Sequence, residues 1–135
     1  YLPIWVGAVE ATAIAYAQQG VTPPRPMTHD LIVDLIADLG AQLTGVRITS
    51  LTDGVYFAFL DLVTISGEIH ELSSRPSDAI ALALRVGVSI SVASEVMDTA
   101  GVAIPDEEEG EPEDQVEAFR EFLEGVSPED FDAPE

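Results

Sequence analysis

Apolar positions along the first hundred residues alternate between a strand-like and a helix-like spacing. Leu2 to Val6 is a short apolar run closed by Gly7, and it predicts a strand. Glu10 to Gln19 is Ala-rich and ends at Gly20, which predicts a helix with a glycine cap. Pro23, Pro24 and Pro26 make a stiff connector. The next helix is expected over His29 to Leu39, with Thr28 as N-cap, Gly40 as stop, and Leu31, Ile32, Leu35, Ile36 and Leu39 as its apolar face. Val46 to Leu51 and Val55 to Ile65 flank Thr52-Asp53-Gly54, a strong hairpin signal. The second of these strands is apolar on both faces. Val55, Phe57 and Phe59 lie on one, and Tyr56, Ala58, Leu60 and Leu62 on the other, so cover is expected on both sides. Glu68 to Ser73 and Val88 to Ala93 predict strands, while Ser77 to Val86 and Ser94 to Ala100 predict helices.

These elements define an α/β (α+β) domain over residues 1–104, a mixed twisted sheet with packed helices. Ala13-Ile14-Ala15-Tyr16-Ala17 is echoed by Ala79-Ile80-Ala81-Leu82-Ala83, which raises an internal β–α duplication. It also fits two unrelated Ala-rich helices. Residues 105–114 form an acidic linker expected to be disordered. Residues 115–135 form an acidic helical tail, with Val116, Phe119 and Leu123 on one face of Gln115 to Glu124 and a second helix start at Ser127-Pro128. Phe119, Phe122 and Phe131 are unneeded in a purely solvating tail and suggest docking onto a surface.

Charge narrows the function classes. Residues 1–104 carry 11 acids against 4 Arg, and residues 105–135 carry 14 acids against Arg120 alone, for a total of −20. There is no Lys, so the basic stripe of an electrostatic nucleic-acid binder is absent. There is no Cys, which removes disulfides, thiolate catalysis and thiolate zinc sites and agrees with a cytoplasmic location. No apolar run approaches the roughly 20 residues of a membrane span, and no signal peptide opens the chain. The first residue is Tyr1, inside an apolar run, which suggests a fragment lacking upstream residues.

Two polar clusters sit at helix starts: Arg25-Pro26-Met27-Thr28-His29-Asp30 and Arg75-Pro76-Ser77-Asp78. Each places an Arg, a Pro, a hydroxyl and an acid in that order. Free N–H groups at a helix start can hold a phosphate, and a nearby Arg can bind it bidentately. That makes Arg75, Ser77, Arg25 and Thr28 candidate phosphate ligands. His29 can move a proton, and Glu10, Asp30 and Asp78 can hold a hard divalent cation such as Mg²⁺ or Mn²⁺. The same residues have ordinary structural roles: Ser77 and Thr28 as caps, Asp30 and Asp78 as acids favoured by the helix dipole. Asp30, Asp34 and Asp38 recur every four residues, the pattern of a solvated face. Trp5 and Tyr56 are expected in the core. A phosphate-cradling glycine loop, a nucleophile elbow and a His-Glu-x-x-His motif are all absent.

Four blocks in order resemble the bifunctional nuclease domain family. They are Leu2-Pro3-Ile4-Trp5-Val6-Gly7 with Glu10-Ala11, then Arg25-Pro26-Met27-Thr28-His29-Asp30-Leu31, Asp53-Gly54-Val55-Tyr56-Phe57-Ala58, and Arg75 through Ala83. The resemblance covers about residues 1–104. It implies an α/β fold with internal duplication, bacterial and plant distribution, a frequent dimer, and degradation of both DNA and RNA. By motif match it singles out Glu10, His29, Asp30, Arg75 and Asp78, and it implies a strand region before Tyr1.

Two readings follow. In the first, the chain is an enzyme, a metal-assisted phosphodiesterase acting on DNA and RNA without sequence preference. Glu10, Asp30 and Asp78 would hold the metal, Arg75 would clamp phosphate, and His29 would assist proton transfer. In the second, it is a non-catalytic homodimeric regulatory module whose acidic tail engages a protein partner.

Overall fold

The computed structural model describes residues 1–103. The expected linker at 105–114 and the tail helices at 115–135 lie outside the described residues. In chain order the elements are α1 (Ala8–Gln18), α2 (Thr28–Asp38), β1 (Ala41–Thr52), β2 (Val55–Thr64), β3 (Ile69–Ser74), α3 (Pro76–Val86), β4 (Ile90–Val92) and α4 (Ser94–Ala100). The strands form one mixed sheet in the order β3-β2-β1-β4, with β4 parallel to β1 and the other pairs antiparallel. The α/β expectation therefore holds.

Local chemistry explains the main joints. Asp53 and Gly54 have φ of 52° and 73°. Two consecutive positive φ values are what a tight two-residue hairpin needs, and Asp-Gly supplies them cheaply. Pro76 is the first residue of α3, where its fixed φ suits a helix and its missing N–H costs nothing. Arg75 is therefore the N-cap, not Ser77, which is 7% exposed inside the first turn. Thr28 likewise begins α2, and Met27 caps it. β1 is six residues longer than the spacing predicted because it carries two bulges. Its register shifts between Leu43 and Gly45 and between Ile48 and Ser50, so Leu43, Val46 and Ile48 all face the helices.

That face is the core. Leu43, Val46, Ile48, Ala58 and Leu60 pack against Ala79, Leu82 and Ala83 of α3, with Val96 of α4 beside them. The back of α3 meets α1, where Ala81 is 0% and Ala13 3% exposed. α3 is thus enclosed between the sheet and α1, and its alanines permit the close approach. The echoed Ala-rich segments are this packed helix pair; a strand precedes only the second copy. Leu2 to Val6 is not a strand. Pro3 has no N–H for a ladder, and the segment is tied down instead by Tyr1, whose N–H₃⁺ donates to Val102 O while Val102 N–H donates to Tyr1 O, both at 2.8 Å. Leu2 and Ile4 still reach the core, and Tyr56 Oη donates to Pro3 O at 3.2 Å.

Three expected burials fail. Trp5 is 63% exposed, not core. In α2, Ile32 and Val33 pack inward, whereas Leu31, Leu35 and Leu39 are 60%, 53% and 75% exposed. β2 is covered on its Tyr56, Ala58, Leu60 and Leu62 side, but Val55 and Phe57 on the other face are open. Among the described residues no helix is long and apolar enough to cross a membrane.

The enclosure of α3 leaves no room for larger side chains. Ala83→Leu should destabilise by about 1–3 kcal/mol through overpacking. Urea unfolding should show a lower midpoint at unchanged slope.

Candidate functional site

Three helix starts converge. Glu10 lies in the first turn of α1, His29 is the second residue of α2, and Arg75 and Asp78 stand at the N-terminal end of α3. Arg75 Nε donates to Asp78 Oδ2 at 2.7 Å and its Nη2 to Asp78 Oδ1 at 3.1 Å. The same Nη2 lies 3.1 Å from Glu10 Oε1. His29 Nε2 lies 3.0 Å from Asp78 Oδ1. The His29 side chain is 12% exposed and the Arg75 side chain 65%. One carboxylate therefore ties a half-sheltered imidazole to a guanidinium that faces solvent.

The fifth candidate goes elsewhere. Asp30 Oδ1 accepts from Arg85 Nε at 2.6 Å, and its Oδ2 accepts from the Met27 backbone N–H at 2.8 Å. Arg85, whose side chain is 10% exposed, also donates to Ala13 O and Ala81 O, so it ties α1, α2 and α3 together. Arg85 is the residue the sequence reading missed. Its only signal was a lone base in the Ala- and Leu-rich run from Ala79 to Val86. Arg25 and Thr28 are exposed, and neither has a polar contact to the Glu10–Arg75–Asp78–His29 group among the described residues. The buried Ser77 does not present its hydroxyl at the surface.

Electrostatics follow from these pairs. The Asp78 carboxyl is held below the usual carboxylate range, first by the Arg75 hydrogen bond and further by His29, against the opposing effect of burial. Asp30 is held below that range first by Arg85 and also by the Met27 N–H. Arg75 is made more basic by Asp78, then by Glu10. A carboxylate can only accept, so the His29–Asp78 contact places a proton on Nε2; in a neutral imidazole the lone pair then lies on Nδ1. The pairing thus fixes the orientation of the imidazole ring.

A divalent cation does not fit this donor set. The space between Glu10 and Asp78 is filled by the Arg75 guanidinium, and both Asp30 oxygens are committed to Met27 and Arg85. Among the described residues no group of three or more His, Asp or Glu side chains is placed to hold a metal ion. The expected Glu10–Asp30–Asp78 set is not assembled, because Arg85 draws Asp30 away.

This arrangement sits in a chain with known relatives. The model of the bifunctional nuclease domain matches residues 1–105. The chain belongs to the bifunctional nuclease domain family. An uncharacterized protein of Mycobacterium tuberculosis is 54% identical over 138 residues, covering 98% of this chain and 82% of that protein. Bifunctional nuclease 1 of Arabidopsis thaliana is 31% identical over 93 residues, covering 67% of this chain but only 29% of the plant protein. Bifunctional nuclease 1 of Oryza sativa subsp. japonica is similar at 31% over 93 residues.

The lowered Asp78 value fixes a sign. A carboxyl more acidic in the folded state stabilises the fold above its ordinary value near about 4 and loses that contribution as pH falls through the folded value. Asp78→Asn should therefore be less stable than the parent at neutral pH. The two urea midpoints should converge as pH is lowered below about 4.

Proposed function

We propose that this chain is a cytoplasmic nuclease that hydrolyses phosphodiesters of both DNA and RNA, with His29, Asp78, Arg75 and Glu10 as its working group. The observation that carries the reading is the connected chain of polar contacts across three helix starts. DNA has no 2′-hydroxyl, so one site that cuts both polymers cannot rely on that internal nucleophile, and in this proposal water takes its place. His29 Nδ1 takes a proton from that water as its oxygen bonds to phosphorus. The bond to the leaving oxygen breaks, and the imidazolium returns the proton to it. Asp78 holds the ring's tautomer and stabilises its charged form. The exposed guanidinium of Arg75 contacts a phosphate oxygen, and Glu10 holds its Nη2 in place. With His29 neutral the group carries a net charge of −1. Protonation of His29 removes that charge and favours phosphate in the transition state.

A homodimer belongs to this proposal. Val55 and Phe57 are exposed on the open sheet face. On the same face Arg47 pairs with Asp61 and Glu71 and lies 6.0 Å over the Phe59 ring. A patch holding both signs beside aromatic rings suits a second copy of itself. The same face supports a second reading, a non-catalytic dimeric module in which the acid-rich residues 105–135 engage a protein partner.

Cleavage of single-stranded DNA and RNA by the full chain, freed of host nucleases and assayed with and without Mg²⁺ or Mn²⁺, separates the two. Arg75→Ala should lower cleavage by about tenfold or more while retaining the parent fold, since a charged hydrogen bond contributes about 1.5–3 kcal/mol. His29→Ala should lower it by about 10²-fold or more. No cleavage under any condition favours the second reading. Normal cleavage by folded Arg75→Ala removes the phosphate contact. For the dimer, light scattering should show Phe57→Ser shifted toward monomer.

A further inference from the structure

The outer face of α2 has no role in the site or in the proposed dimer. Leu31, Leu35 and Leu39 stand on it at 60%, 53% and 75% exposure. Spaced by four residues, they form one ridge of about 12 Å along the helix. Ile65, 91% exposed, extends the ridge, for its Cδ1 lies 3.1 Å from where a Cβ on Gly40 would stand. A contiguous set of large apolar side chains on a surface marks an interaction site more often than scattered ones do. Helical spacing decides the neighbours of this ridge. Asp34 and Asp38 fall beside it on the solvent side, and both are exposed. Neither has an ion-pair partner among the described residues. Arg85, which lines one pocket together with Asp34, is already committed to Asp30.

We propose that this face of α2 docks a cationic amphipathic helix from a partner protein. Its apolar side would cover Leu31, Leu35, Leu39 and Ile65, and its Lys or Arg flank would meet Asp34 and Asp38. Helices that dock this way use anchors at the spacing shown by the three leucines. Charge selects among the occupants. A second copy would bring two further free carboxylates, its own Asp34 and Asp38, to the same seam. The chain's own residues 105–135 carry 14 acids against one Arg and would add to the repulsion. A basic helix alone gains from both the ridge and its border.

The test uses the full chain and a labelled synthetic peptide of about 18 residues, or five helical turns. The peptide carries Leu at helical spacing and Lys on the flanks. Two controls are a Glu-for-Lys version and a scrambled sequence of the same composition. Fluorescence anisotropy is read at about 0.15 M salt, where loose charge attraction is screened beyond about 8 Å. The Lys peptide should bind at least about tenfold more tightly than either control. Leu35→Ser with Leu39→Ser should weaken it by about tenfold or more, Asp34→Asn with Asp38→Asn should weaken it several-fold, and Phe57→Ser should leave it unchanged. Equal binding of the scrambled peptide would overturn the proposal, because it would reduce the effect to the chain's overall acidity. Undiminished binding by the leucine variant would also overturn it. So would a fall in mass of the leucine variant in light scattering, which would assign the ridge to a second copy.

Discussion

The close seating of α3 between the sheet and α1 is the constraint on which the rest of the structure depends. Ala79, Ala81 and Ala83 are all 0% exposed, so the helix touches neighbours on opposite sides without large side chains to hold them apart. Its two ends then serve different tasks. The N-terminal end carries Arg75 and Asp78 to the starts of α1 and α2. The C-terminal end carries Arg85, which clasps Asp30 and two backbone carbonyls from within the helical layer. Because one rigid helix sets both, the separation between the two ion-paired groups is fixed.

Much of this was legible in the sequence. The Asp53-Gly54 hairpin, the three longer helices and the mixed sheet all follow from spacing and turn chemistry. The convergence of Glu10, His29, Arg75 and Asp78 agrees with the motif match that singled them out, whereas Arg25, Thr28 and Asp30, which carry the repeated order at the first helix start, stay outside the group. The failures have physical causes. Residues 41–45 escaped notice because a bulge breaks the alternation on which a strand is recognised. Leu2 to Val6 has a strand's composition, but Pro3 interrupts any ladder and the segment is held by the Tyr1–Val102 pair and Tyr56 instead, outside the sheet. Periodicity shows that Leu31, Leu35 and Leu39 share a face, but not whether the fold itself covers that face. Asp30 and His29 are adjacent in sequence and were assigned to one centre. Successive helical residues point about 100° apart, and a partly buried Arg 55 positions away captured the acid.

The site also shows how an acidic chain can present a cationic group. Arg75 is flanked by two carboxylates, yet it is 65% exposed, so the pairing fixes its position without hiding it. Asp78 serves two partners at once and makes the positions of the His29 ring and the Arg75 guanidinium mutually dependent. A change at any of the three is felt by the others, and double-mutant measurements among them should be non-additive for that reason.

The paired hydrogen bonds between Tyr1 and Val102 have an architectural consequence. They join residues 101 positions apart, so strain on the chain around Val102 is carried to the segment that holds Leu2 and Ile4 against the core. The two strips behave like halves of a buckle: neither can peel from the domain without loosening the other.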